Sequence, residues 1–137
     1  MPYLQEFYII PVGGNLIYAK SEYNEIDQNL FCAFLTGLNS FSQGAFSQDI
    51  LSFSLENSKY VIISTHELFF VARTGIKAKN EEIRGILDKM QAIFFAHFPP
   101  ETFKYGWGGN PDQFSILDKL YDPYFAGSGE KALKAIW

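Results

Sequence analysis

The feature that most constrains this chain is the order in which strand and helix patterns follow one another along its first 98 residues. Strands are indicated where β-branched and aromatic residues cluster or alternate with polar ones, and helices where apolar residues recur every three to four positions. Strands are predicted at residues 4–10, 16–20, 49–55, 60–65 and 68–73, and helices at residues 26–41 and 80–98. This order predicts an α+β fold, a five-stranded antiparallel sheet with helices on both faces.

Three local patterns refine this prediction. The first two strands flank a glycine-containing turn at residues 11–15 and are apolar at both odd and even positions near it, which is typical of a sheet covered on both faces. Residues 51–55 alternate strictly between apolar and serine, which predicts a half-buried strand or one near an edge. His66 and Glu67 alone separate the last two strands, so a tight hairpin is expected there.

Each predicted helix carries one broad apolar stripe. Asn24 is predicted to cap the first helix and Asn80 the second. Gly37 costs the first helix about 1 kcal/mol relative to alanine, so it either allows a close approach to the sheet or frays the last turns. Gly44 is expected to lie beyond the helix end. The stripe of the first helix consists of Ile26, Leu30, Phe31, Phe34, Leu35, Leu38 and Phe41.

The last third of the chain is less regular. Residues 99–110 form an aromatic, glycine-rich loop, and residues 111–124 suggest a short third helix. Residues 126–129 are a flexible joint of small residues, followed by a short amphipathic tail. We therefore predict a single domain over residues 1–125 and a tail over residues 126–137.

Composition excludes some classes of protein. The net charge of −4 is the opposite of what a nucleic-acid binder requires. A single cysteine, Cys32, allows no internal disulfide and fits a reducing compartment. Neither a basic signal-peptide start nor an apolar run of 18 residues is present. We expect a cytoplasmic protein with at most peripheral membrane contact, and fourteen Phe and eight Tyr suggest a protein-binding surface.

Sequence motifs for catalysis are absent. The two histidines, His66 and His97, are too far apart for a zinc motif, and the glycine pairs lack the spacing of phosphate-binding loops. Cys32 and His97 are the only thiol and imidazole worth considering as a pair, and a buried, inert thiol is the simpler interpretation. We expect neither enzymatic activity nor a cofactor or metal.

Two segments are candidate binding elements. The first is the basic connection after the last strand, whose cations could meet an acidic partner or anionic lipid. The second is the aromatic loop, which could pack on a partner or fold back over its own sheet. The candidate residues are Arg73, Lys77 and Lys79 in the connection, and Phe103, Tyr105 and Trp107 in the loop.

The chain resembles longin-like (SNARE-like) domains. The resemblance is carried by the hairpin EFYII-PVGG-NLIYAK at residues 6–20, the helix NLFCAFLTGLNSF at residues 29–41, the strands ILSFSL, YVIIST and LFFVAR, and the long helix from Asn80. It implies a sheet in the order 2-1-5-4-3, with one helix on one face and the later helices on the other. This arrangement is also similar to that of profilin.

Longin-like domains serve as non-enzymatic platforms in vesicle trafficking and in small-GTPase regulation. The resemblance implies an adaptor that binds a small GTPase or another longin or roadblock chain, and a homodimer is possible. The residues chosen for this contact are Tyr18, Phe31, Phe34 and Phe41. The alternative is a ligand-sensing module of the PAS, GAF or roadblock type, in which aromatic side chains line an internal pocket.

Overall fold

The computed structural model describes residues 4–11, 16–21, 28–100 and 111–125. Its five strands are β1 (Glu6–Pro11), β2 (Tyr18–Ser21), β3 (Ser52–Ser54), β4 (Ser58–Thr65) and β5 (Leu68–Gly75). Its helices are α1 (Gln28–Phe46), α2 (Asn80–His97) and α3 (Ile116–Tyr121), the last flanked by 3-10 turns at Pro111–Phe114 and Asp122–Tyr124. Within the described ranges, no helix is both long and apolar enough to cross a bilayer.

The strands form one antiparallel sheet in the order β2-β1-β5-β4-β3. This confirms the predicted order and fold class. Strands β4 and β5 form the tight hairpin expected from the sequence, with Thr65 opposite Leu68. His66 and Glu67 both adopt positive φ, of 49° and 63°, as a two-residue turn that matches the strand twist requires.

A separate apolar cluster lies on each face of the sheet, and α1 covers one face while α2 and α3 cover the other. Successive strand residues point to opposite faces, so each of the inner strands contributes to both clusters. The cluster under α1 contains Tyr8, Ile10, Phe31, Cys32, Leu35, Tyr60, Ile62, Phe69 and Val71. The larger cluster, under α2 and α3, includes Phe7, Ile9, Phe70, Met90, Phe94, Leu117 and Tyr121.

The segment containing α3 is anchored along the β2 side of the sheet. The Tyr18 hydroxyl donates to Asp118 over 2.7 Å, and Lys20 pairs with Asp122 at 2.7 Å. The Tyr121 hydroxyl donates to the carbonyl of Met90 in α2 over 2.8 Å. The segment from Ile116 to Phe125 therefore belongs to the same packed unit as the sheet, with Phe125 in a parallel bridge to Leu4 at its end.

Several local predictions were wrong. Helix α1 continues through Gly44 to Phe46 and ends before Ser47, whose φ of 54° breaks the helical path. The N-cap of α2 is Lys79 rather than Asn80, and its side chain makes no cap hydrogen bond. The predicted cap Asn24 lies outside the described residues. The third strand is shorter than residues 49–55, because only Ser52–Ser54 pairs with β4 as a continuous ladder.

Candidate protein interface

Helix α1 contains no charged side chain over its full length of 19 residues. Its inner face is formed by Phe31, Cys32 and Leu35, which are buried against the sheet. The Phe31 ring lies 4.7 Å from the ring of Tyr8 and 5.1 Å from that of Tyr60, measured between centroids. A surface helix normally carries charges on the side away from its core, so their absence here calls for an explanation.

The outer face of α1 is apolar as well. Leu30 is 69% exposed, Phe34 52% and Phe41 65%. Together with Gly37 and Gly44 these residues follow one another at intervals of three or four positions, which places them along one face of the helix. Helix α1 therefore presents apolar side chains both to the sheet and to the surface.

Strand β3 extends this apolar surface. Leu51 and Leu55 are 57% and 49% exposed. They alternate with the serines and so point to the same side of the sheet as Phe53. That side is the one that α1 covers, because the Phe53 ring stacks on Tyr60 at 4.9 Å. The Phe34 ring meets Phe53 edge-on at 5.8 Å, which joins helix and strand. We call this region the α1–β3 surface. It consists of Leu30, Phe34, Gly37, Phe41, Leu51 and Leu55.

The α1–β3 surface borders an open edge of the sheet, one that no other described strand pairs with, because β3 is the last strand of the order. The hydrogen bonds from Leu55 to Ser58 and from Ile62 to Leu51 show that odd-numbered residues of this segment face β4. In an antiparallel ladder the alternate residues then direct their backbone groups outward. The N–H and C=O groups of Ser52 and Ser54 therefore point to the open edge.

A polar network lies on the same face of the sheet as α1. The Glu6 carboxylate is fully buried, yet it accepts hydrogen bonds from the hydroxyls of Tyr8 at 2.9 Å and Tyr60 at 3.1 Å. Arg73 pairs with the same carboxylate at 3.2 Å and also donates to Ser58 at 3.1 Å. Burial, and next the nearby Glu6 charge, raises the pKa of Tyr60 to about 12. The network ties β1, β4 and β5 together.

The binding residues predicted from the sequence lie in several different places. Phe34 and Phe41 are exposed on the α1–β3 surface, whereas Tyr18 and Phe31 are buried in the two cores. Arg73 belongs to β5 and not to the connection after it, and its guanidinium is engaged by Glu6. Two cations of that connection, Lys77 and Lys79, are exposed. The aromatic-loop residues Phe103, Tyr105 and Trp107 lie outside the described residues.

Sequence reasoning missed part of this surface. Leu30 was placed in the apolar stripe but not among the candidate contacts, and Leu51 and Leu55 were not recognised as exposed. The signal that could have found the surface is the absence of any charge between Gln28 and Phe46. Apolar periodicity alone could not, because both faces of α1 are apolar.

No candidate chemical site forms among the described residues. No group of three metal-ligating side chains comes together in the described ranges. Cys32 lies on the inner face of α1 and His97 at the end of α2, so the sheet separates this thiol from this imidazole. Burial raises the pKa of the Cys32 thiol, which disfavours the reactive thiolate.

Comparison with known proteins supports the fold. No family model and no curated protein matches the chain. Among solved structures, Myxococcus xanthus MglB matches with a TM-score of 0.50 and 12% identity over 68% of this chain and 85% of MglB. A Roadblock/LC7 domain from Streptomyces avermitilis matches with a TM-score of 0.50 and 13% identity over 69% and 88% of the two chains. The fold is longin-like. At these identities the comparison extends to the fold alone.

Proposed function

We propose that this protein is a non-enzymatic adaptor that forms a dimer through its α1–β3 surface and, as a dimer, binds a small GTPase. The observation that carries the proposal is the charge-free helix α1, whose outer face exposes Leu30, Phe34 and Phe41 beside the open edge of β3. Interface cores are depleted in charge and enriched in aromatic side chains. An exposed edge strand is a template for pairing with another chain.

The partner we assign to this surface is a second copy of the chain. In a twofold-symmetric contact each side chain near the axis meets its own counterpart, so a charge there would face a like charge. Helix α1 and strand β3 contain no charged residue. Two β3 edges can pair antiparallel through the outward backbone groups of Ser52 and Ser54, which would join two five-stranded sheets.

The GTPase part of the proposal rests on the resemblance to longin-like domains and on the longin-like fold. A trafficking-type regulatory role follows from the same resemblance. The exposed cations Lys77 and Lys79 lie in the connection between β5 and α2. They are candidate contacts for an acidic partner once the dimer has formed.

Sedimentation velocity over a concentration series tests the dimer. We expect the wild-type chain to shift from one to two copies with increasing concentration, and Phe34→Asp to remain a monomer because it places an unpaired carboxylate in an apolar interface. Ile116→Asp is the matched control, since Ile116 is an exposed apolar residue on α3, on the other face of the sheet. A folded Phe34→Asp variant that dimerises like the control would contradict the proposed surface.

The GTPase contact requires a separate measurement. Tagged protein is incubated with native lysate with and without a non-hydrolysable GTP analogue, and captured proteins are identified by mass spectrometry. We expect a small GTPase whose enrichment depends on the nucleotide and is lost with Lys77→Glu/Lys79→Glu. If the dimeric protein enriches no GTPase under either condition, the GTPase contact is contradicted and the proposed dimer is unaffected.

A further inference from the structure

We propose that Gly37 is the point at which the α1 helices of two copies cross. This inference rests on the dimer proposed above and names the residue that determines its packing. Gly37 lies in the middle of the outer face of α1 and is exposed. A Cβ added there would meet no atom of the described residues within 4 Å, and Gly37 is not in the left-handed region.

Nothing in the described part of the chain therefore requires glycine at this position. Glycine is a much poorer helix former than alanine, and Gly37 is neither at a helix end nor next to the sheet. Both explanations expected from the sequence are wrong, because Gly37 points away from the sheet and the helix continues for more than two turns to Phe46. Unlike Gly85, Gly37 lies between two exposed aromatic side chains, Phe34 and Phe41, so close approach by a second helix is the reason that we assign to the glycine.

The flanking residues suit a symmetric crossing. Phe34 lies three positions before Gly37 and Phe41 four positions after it, and both rings are exposed on the same face. When two antiparallel helices cross at a twofold axis through Gly37, Phe34 of one copy faces Phe41 of the other. The absence of a side chain at Gly37 lets the two backbones come close, and the rings then fill the space on either side.

Gly85 provides a matched control. It lies inside α2 and is exposed, and an added Cβ would likewise meet none of the described atoms within 4 Å. Below the dimer dissociation constant, we expect Gly37→Ala and Gly85→Ala each to raise the melting temperature by about 3 °C through better helix propensity. Only Gly37→Ala should weaken the dimer, by at least about tenfold in dissociation constant, because its methyl groups hold the helices apart.

The proposal predicts opposite effects of one substitution, a more stable monomer and a weaker dimer. A Gly37→Ala dimer with the same dissociation constant as the Gly85→Ala dimer would contradict the crossing at Gly37. The α1–β3 surface would still be supported in that case if Phe34→Asp abolishes association. A lower melting temperature for Gly37→Ala would show that the fold itself requires the glycine and would also overturn the inference. A wild-type chain that never associates would overturn both the inference and the dimer.

Discussion

At the scale of single residues, the fold depends on a buried charge that is fully compensated. Glu6 is inaccessible to solvent and accepts from two tyrosine hydroxyls and from Arg73. A carboxylate in this position would be costly without these donors. Because the donors come from three different strands, the Glu6 network also favours the observed pairing of β1, β4 and β5 over shifted registers.

Removing the cation of this pair should therefore be strongly destabilising. We expect Arg73→Met to lower the free energy of unfolding by about 3 kcal/mol, because the Glu6 charge would stay buried without its ion-pair partner. The measurement is urea denaturation followed by circular dichroism. Arg84→Met serves as the control, since Arg84 donates to the carbonyl of Leu51 at an exposed site and should cost less than about 1 kcal/mol. Equal losses for both variants would contradict this role of the Glu6 network.

The buried tyrosines predict a loss of stability at high pH. Burial, with a smaller contribution from nearby carboxylates, raises the pKa of Tyr8 and Tyr18, and raises that of Tyr60 to about 12. The folded state holds these hydroxyls neutral, whereas the unfolded chain ionises them near pH ~10. Their contribution to the free energy of unfolding is therefore fully present below pH ~10 and is lost as the pH rises towards the folded-state pKa. We expect stability to fall between pH ~10 and ~12, with tyrosinate absorbance rising in a steep step at unfolding. Gradual ionisation of all eight tyrosines near pH ~10 without unfolding would contradict this.

At the scale of elements, the two faces of the sheet are completed in different ways. The face under α2 and α3 is closed within the chain by a continuous apolar cluster. The face under α1 is closed only in part, because Leu51 and Leu55 of the β3 segment remain exposed next to the helix. A second α1–β3 surface would complete this face, which is why we place the dimer here.

Two leucine-to-alanine substitutions distinguish these roles. Leu117→Ala in α3 should lower the free energy of unfolding by about 3 kcal/mol, because its side chain is fully buried and would leave a cavity. Leu51→Ala should change the stability of the monomer by less than about 0.5 kcal/mol, because the side chain is already exposed. Leu51→Ala should instead weaken the dimer. The measurements are urea denaturation below the dissociation constant and sedimentation equilibrium above it, and a large loss of monomer stability for Leu51→Ala would contradict this assignment.

The elements themselves were largely predictable from the sequence, because apolar periodicity and turn residues specify most of them locally. The hairpin at His66 and Glu67 and the start of α2 at Asn80 are examples. The end of α1 was not predictable from propensity, since Gly44 continues the helix and Ser47 ends it. The candidate interface was predicted only at Phe34 and Phe41, because burial depends on which side of a helix meets the sheet, and periodicity cannot distinguish two apolar sides.

At the scale of the whole molecule, the β2 edge of the sheet is packed against the α3 segment, whereas no described strand pairs with the β3 edge. The α3 segment is anchored to β2 through the Tyr18–Asp118 hydrogen bond and the Lys20–Asp122 ion pair. The fold is longin-like, and a scaffold closed on one side is suited to assembly through the other. We propose that the other side is where two copies associate, through α1 and β3.

Amide hydrogen exchange measured at low and high protein concentration tests this association. We expect protection to increase with concentration throughout α1 and at the N–H groups of Ser52 and Ser54, which would become paired across the dimer. Protection in α2 should not change, and Phe34→Asp should remove the concentration dependence in α1. Concentration-dependent protection confined to α3 or the Lys77–Lys79 connection, or none at all, would contradict the account.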